Sequence, residues 1–176
     1  MVNRITTGVA MHSESRGQSG LISAHQQLIQ VWKASVNKGQ LPERAAFDPG
    51  QLRMHLGFMS LAELDPDGEI CYRFAGSRLR RLFGGDSRGR RLSSLRSDVS
   101  NLLGEGISEA IETQKPVSGL SERSVCHHAW LRLPLSGGAQ NQMVLCHDQF
   151  FETSKVTHSR TESLFELSSK QAFMAA

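Results

Sequence analysis

The residue pattern predicts an α+β fold built as two strands, a group of short helices, a longer helix and three further strands, all preceded by an amphipathic helix. Three observations carry this. Two β-prone runs, residues 58–64 and 69–75, flank the turn sequence Asp65-Pro66-Asp67-Gly68. From Val117 to Phe150 the chain is three strand-like runs joined by short polar links. Between these groups, and again near the start, apolar residues recur at helical spacing instead.

Residues 1–18 mix Ser, Thr, Gly and Arg without periodicity and read as a disordered lead. A helix is expected over residues 19–37, where Leu21, Ile22, His25, Leu28, Ile29, Trp32 and Val36 share a face, with Ser19 as its cap and Asn37-Lys38-Gly39 as its stop. A helix apolar on one side must cover something, so it either packs on its own sheet or pairs with a second copy. Leu21, Leu28, Ile29 and Trp32 are therefore the candidates for a dimer interface. Asp48-Pro49 starts a short helix to His55, because proline suits the first helical position and an acid suits the positive end.

The stretch from Glu69 to Leu92 is the centre of the pattern. Ile70, Tyr72 and Phe74 alternate on one face of a strand, and the chain then turns at Ala75-Gly76 into a short helix with Leu79, Leu82 and Phe83 on one side. Gly84-Gly85 ends it, since glycine takes the left-handed conformation that closes a helix. One continuous helix is expected over residues 98–113, its stripe being Val99, Leu102, Leu103, Ile107, Ala110 and Ile111. Gly104 and Gly106 weaken it and imply close contact with the sheet. In the middle strand of the last third, Ala129, Leu131, Leu133 and Leu135 are expected to face the helices. His128, Trp130, Arg132 and Pro134 would then lie under the first helix. The compact core, the first helix included, is bounded at residues 19–150, and residues 151–176 read as a Ser/Thr-rich tail with weak helical character at Leu164, Phe165 and Leu167.

The totals narrow the class. At 176 residues, 39% hydrophobic and a mean hydropathy of -0.31, the chain reads as one soluble domain with tails. It contains no apolar run of the roughly 18 residues that a membrane helix needs, and its start lacks a signal peptide's apolar core, so the expected compartment is the cytoplasm. Cys71, Cys126 and Cys146 are odd in number and widely spaced on strands, which predicts buried free thiols.

Several pieces together resemble a bacterial PAS family of small, mostly stand-alone proteins. They are Trp32 with Gly39, Leu41-Pro42-x-Arg44, Phe47-Asp48-Pro49, Tyr72-Arg73-Phe74-Ala75-Gly76-Ser77, Phe83-Gly84, Gly89-Arg90-x-Leu92, Lys115-Pro116-Val117 and Leu131-x-Leu133-Pro134-Leu135. The resemblance spans about residues 25–148 in order. It implies a PAS fold, a five-stranded antiparallel sheet with helices on its concave face, after the N-terminal amphipathic helix. It also implies a non-catalytic sensory or protein-interaction module, acting through dimerisation and an unknown signalling partner.

Fold does not supply function, so the candidate sites are weighed separately. A cavity between sheet and helices would be lined by Leu61, Phe74, Leu79, Phe83, Leu103, Ile107, Leu131 and Leu145; a packed core and a pocket for an unidentified small molecule both stay open. No cofactor is predicted. Adjacent strand residues such as His127 and His128 point to opposite faces, which suits haem poorly, and the strand-borne cysteines suit flavin no better. Zinc would have to combine Cys126, His127 or His128 with Cys146 and His147 across strands, without any close Cys-x-x-Cys pair. No nucleophile elbow, phosphate loop or His-Glu-x-x-His is present, so an enzyme is not expected.

Between residues 73 and 96 eight arginines face the single acid Asp86, a net +7. Arg78, Arg81, Arg90 and Arg91 are its candidates for an anionic ligand or nucleic acid. Pairing with Glu105, Glu109 and Glu112 is the simpler expectation, and nucleic acid is disfavoured because exposed aromatics do not interleave with the arginines.

Overall fold

The computed structural model describes residues 22–123, 126–137 and 142–152. Residues 1–21 and 153–176 lie outside that set, and with them the expected lead, the Ser19 cap, Leu21 and the C-terminal tail. The amphipathic helix α1 spans Ser23–Ser35 and ends in a turn where Lys38 and Gly39 both take positive φ. Strands β1 (Met59–Leu64) and β2 (Ile70–Ala75) form the first hairpin. At its turn the Asp65 carboxylate accepts the amide N–H groups of Asp67 and Glu69. The short helix α2 (Arg80–Phe83) closes on Gly84 at φ 66°. Helices α3 (Ser97–Gly104) and α4 (Ile107–Thr113) follow, then β3 (Val117–Glu122), β4 (Cys126–Ser136) and β5 (Gln142–Glu152).

All strand pairs are antiparallel, in the order β2-β1-β5-β4-β3. β5 is the central strand, with the β1–β2 hairpin on one side of it and β4 and β3 on the other. The outer edge of β2 is shielded by the Gly89 to Arg91 segment, whose Gly89 N–H donates to the Tyr72 carbonyl while the Tyr72 N–H donates to the Arg90 carbonyl. Covering an edge in this way removes a template for unwanted strand pairing.

Because strand side chains alternate, the sheet carries a separate core on each face. On one face Ala62, Tyr72, Val144 and Cys146 pack against Leu79, Phe83, Val99, Leu103, Ile107 and Ala110 from α2 to α4 and the loop before α2. On the other, Met59, Leu61, Leu131, Leu133 and Leu135 pack against Leu28 and Trp32 of α1 and against Phe47 and Leu52.

Four expectations are corrected. First, Leu131, Leu133 and Leu135 lie under α1, whereas Trp130 and Arg132 face α3 and α4, the reverse of the assignment from alternation alone. Alternation gives two sets of residues but does not say which layer covers which set. Second, Tyr72 and Phe74 do not share a face. A register shift pairs Leu61 with Phe74 but Ala62 with Tyr72, leaving Arg73 as the extra residue of a bulge. Tyr72 is therefore buried and Phe74 is 41% exposed on the opposite side.

Third, the expected single helix over residues 98–113 is broken. Gly106 at φ 73° separates α3 from α4, and a Cβ there would overlap the Trp130 ring. The glycine is what lets the chain turn over the indole. Fourth, residues 49–55 form successive turns followed by a 3-10 turn at Leu56–Phe58 in place of a helix. The Asp48 carboxylate accepts the Gly50 N–H, as a helix-starting acid would, and Leu52 is buried as a docking residue should be.

Candidate functional site

The space between the sheet and α3–α4, where a cavity was expected, holds a buried polar cluster. Arg132 of β4 is fully buried. Its Nη2 donates to Asp148 Oδ1 of β5 at 2.7 Å and to the Leu103 carbonyl at 3.2 Å, while its Nε donates to the Glu105 carbonyl at 2.8 Å. The two carbonyls belong to the end of α3 and the residue after it, where a helix leaves acceptors unpaired. Arg132 thus fastens the helix break to the sheet.

Asp148 Oδ1 also lies 2.9 Å from His128 Nε2, and the His128 ring stacks on Phe150 at 4.7 Å between centroids. Glu105 closes the cluster at its rim, accepting from Ser121 Oγ at 2.8 Å and from Arg123 Nη2 at 2.6 Å. Burial disfavours the charge on Arg132, but the adjoining Asp148 carboxylate outweighs that and raises its pKa. Burial likewise opposes ionisation of Asp148, and Arg132 with His128 reverses it, so its pKa lies below the ordinary carboxylate value. The two charges hold each other ionised. Glu105 is also lowered, its burial being outweighed by His128, Ser121 and Arg123.

The eight residues expected to line one cavity are divided by the sheet. Leu79, Phe83, Leu103 and Ile107 are packed in the core under α2 to α4, and Leu61, Leu131 and Leu145 belong to the core under α1. An apolar pocket of about 210 Å³ does exist on that second face, beneath the segment after α1. Leu61, Phe74 and Leu145 line it with Phe47 and Leu52, and Arg44 stands among them as the charged residue. The pocket therefore lies on the side opposite to the expected one, because β1 turns Leu61 away from α3 and the bulge turns Phe74 with it.

Of the dimer-interface candidates, Leu28 and Trp32 are buried against the chain's own sheet, and Ile29 packs beside them. Trp32 Nε1 donates to the Pro134 carbonyl at 2.8 Å, which fixes α1 across the end of β4. These faces are already occupied, so they offer no free surface while α1 is docked. The arginine window is also dispersed. Arg73 pairs with Glu63, Arg91 with Asp65 and Arg96 with Asp98, Arg90 Nε donates to the Asp86 carbonyl, and Arg78 lies over Phe58. The expected partners Glu109 and Glu112 take no part in these pairs, and Glu105 is engaged by Arg123. A cleft of about 670 Å³ is lined by Arg73, Arg80 and Arg88 beside Phe74, and none of Arg78, Arg81, Arg90 and Arg91 lines it.

The proposed zinc set is separated as well. His128 faces α3 and α4, His147 faces α1, and Cys146 stands opposite Arg132. Among the described residues no three His, Cys, Asp or Glu side chains are grouped to hold a metal ion.

A second histidine group sits where α1 meets the sheet. His147 of β5 has its ring 5.2 Å from His25 of α1, 5.8 Å from His55 and 6.0 Å from Phe58. His25 and His147 are 1% and 2% exposed, and among the described residues neither ring nitrogen of either has a hydrogen-bond partner. Leaving a buried polar atom unpaired costs about 1–3 kcal/mol, so this contact weakens the docking of α1 rather than strengthening it. Burial, helped by the nearby His147, lowers the His25 pKa to about 2; burial followed by His55 and Arg132, opposed by Asp148, lowers that of His147 to about 4.

Sequence reasoning placed His25 on the buried face of its helix but assigned no role to Arg132 or Asp148. The available signal was an arginine between two leucines in a largely apolar strand, and an acid in the neighbouring strand. Both are expensive to bury alone and inexpensive only together.

A protein-family profile described as a PAS domain matches residues 22–129. No curated protein matches the chain. Among solved structures, a domain of an HTR-like protein from Haloarcula marismortui ATCC 43049 is similar at 20% identity, covering 51% of this chain and 96% of that one with a TM-score of 0.37.

Proposed function

The chain belongs to the PAS domain family of sensory and signalling modules, and from that premise we propose a non-catalytic cytoplasmic module whose output is the position of α1. With α1 docked, the apolar face of the sheet is closed. With α1 released, Leu28 and Trp32 of the helix and Leu131, Leu133 and Leu135 of the sheet are freed together for a second copy of the chain or for a signalling partner. Dimerisation and partner binding are then alternatives to self-packing, and both use the residues that the amphipathic pattern singled out.

The observation that carries this reading is the docking of Leu28 and Trp32 on the chain's own sheet, across a contact that includes two unpartnered buried histidines. A helix held largely by apolar burial and weakened by such groups has a free energy of docking small enough for a signal to shift. The arginine-lined cleft supports an anion-binding role less well, because Arg73 is already engaged by Glu63.

Sedimentation velocity of the wild-type chain and of Trp32→Ala tests the reading. Trp32→Ala should release α1 and raise the fraction of dimer at a given concentration, while circular dichroism retains the sheet. A Trp32→Ala chain with an intact sheet and no more self-association than the wild type would count against it.

A further inference from the structure

The histidine group under α1 lies outside the polar cluster and outside both pockets, and the apolar docking just described does not require it. We propose that His25, His147 and His55 form an acid-operated latch, in which proton uptake at the helix–sheet contact frees α1 from the sheet. The proposal rests on the reading of α1 as a releasable cover and supplies the signal that releases it.

The geometry sets the direction. Three imidazoles from three separate elements, α1, the turn before β1 and β5, meet around His147. Among the described residues neither ring nitrogen of His25 has a hydrogen-bond partner to hold an added proton. His147 of β5 is the ring neighbour of His25, Asp148 of β5 and Arg132 and His128 of β4 act on it electrostatically from the other face of the sheet, and His55 meets His147. Asp148 is the carboxylate among these, and it is already engaged by Arg132 and His128. His55 Nε2 lies 3.1 Å from Gln27 Oε1, so a second residue of α1 touches the same group of rings. Neutral rings are tolerated at this contact, and a charged ring drives the helix away from it.

The size of the effect follows from linkage. The docked pKa values of His25 and His147, about 2 and about 4, lie below the ordinary histidine value. The contact is therefore fully stable above pH 7 and is lost progressively as pH falls below about 6.5. At pH 5 each histidine that regains its ordinary pKa on release shifts the equilibrium toward the released form by about 30-fold. His25 leaves with the helix and contributes the whole factor; His147 adds up to as much again, for a combined limit on the order of 10³.

Hydrogen exchange of the full chain at pH 7.5, 6 and 5, corrected for intrinsic rates and read by mass spectrometry on peptides of α1 and β4, tests the latch. The expected result is a loss of at least about 30-fold in α1 protection at pH 5 while β4 stays protected. His25→Leu should remove about 30-fold of that loss. Unchanged α1 protection at pH 5, simultaneous loss from α1 and β4, or a His25→Leu chain with the full wild-type pH response would each overturn the proposal. Should His25→Leu not fold, the wild-type comparison of α1 with β4 decides alone. Trp32→Ala separates the two levels of the argument. If it exposes α1 at pH 7.5 while the wild type ignores acid, only the latch fails; if it leaves α1 protected, the cover reading itself fails.

Discussion

Replacing Arg132 by methionine should be among the most damaging single changes in this chain. The substitution nearly preserves volume but leaves the fully buried Asp148 without its main counter-charge, and it removes the donor to the Leu103 and Glu105 carbonyls. Breaking a buried ion pair from one side costs about 3–5 kcal/mol, a large share of the 5–15 kcal/mol that stabilises a typical domain. The midpoint of thermal unfolding should fall by roughly 10 °C. Urea denaturation of Arg132→Met, Asp148→Leu and the double variant measures the coupling directly. The double variant should be less damaged than the sum of the single changes, because neither charge is then left alone. The pH response adds a sign. Asp148 has a depressed folded pKa, so its contribution is present above the ordinary carboxylate value and lost as pH falls below about 4. In Arg132→Met that acid-labile contribution should largely disappear. A loss below about 1 kcal/mol, or strict additivity of the two single changes, would refute the assignment of Arg132 as the fastener of the α3–α4 break.

Two further outcomes follow from the packing. Gly106→Ala should cost about 1–2 kcal/mol for the left-handed backbone and about 1–3 kcal/mol more for the overlap with Trp130, and Gly106→Ala/Trp130→Leu should recover only the second part in chemical denaturation. Cys146, buried and with its thiol pKa raised to about 11 by burial, should resist iodoacetamide at pH 7.5 in the folded chain and react only on unfolding, as peptide mass spectrometry would show.

Elements governed by local chemistry were legible in the residues. The Asp65-Pro66-Asp67-Gly68 turn, the stop of α2 at Gly84 and the amphipathic α1 each depend on groups within a few positions of one another. The candidate site was less legible. Leu61 and Leu103 are equally apolar in sequence, yet the sheet separates them, and the bulge at Arg73 reverses Phe74 relative to Tyr72 without any mark in the strand itself. The break in the helix over residues 98–113 was signalled by Gly104 and Gly106, but its cause lies 24 residues beyond Gly106, in the Trp130 ring over which the chain turns.

Composition, periodicity and turn residues alone determined that this protein is an α+β domain in which an amphipathic helix, two strands, a group of helices and three further strands follow one another. They could do so because backbone preference and one-sided apolarity act over short distances. Tertiary structure alone decided which face of each strand meets which helix, and it brought Arg132 to Asp148 and His25 to His147. Those meetings depend on strand register and layer order, and burial then gives them their energies by removing the water that would otherwise have satisfied each group separately.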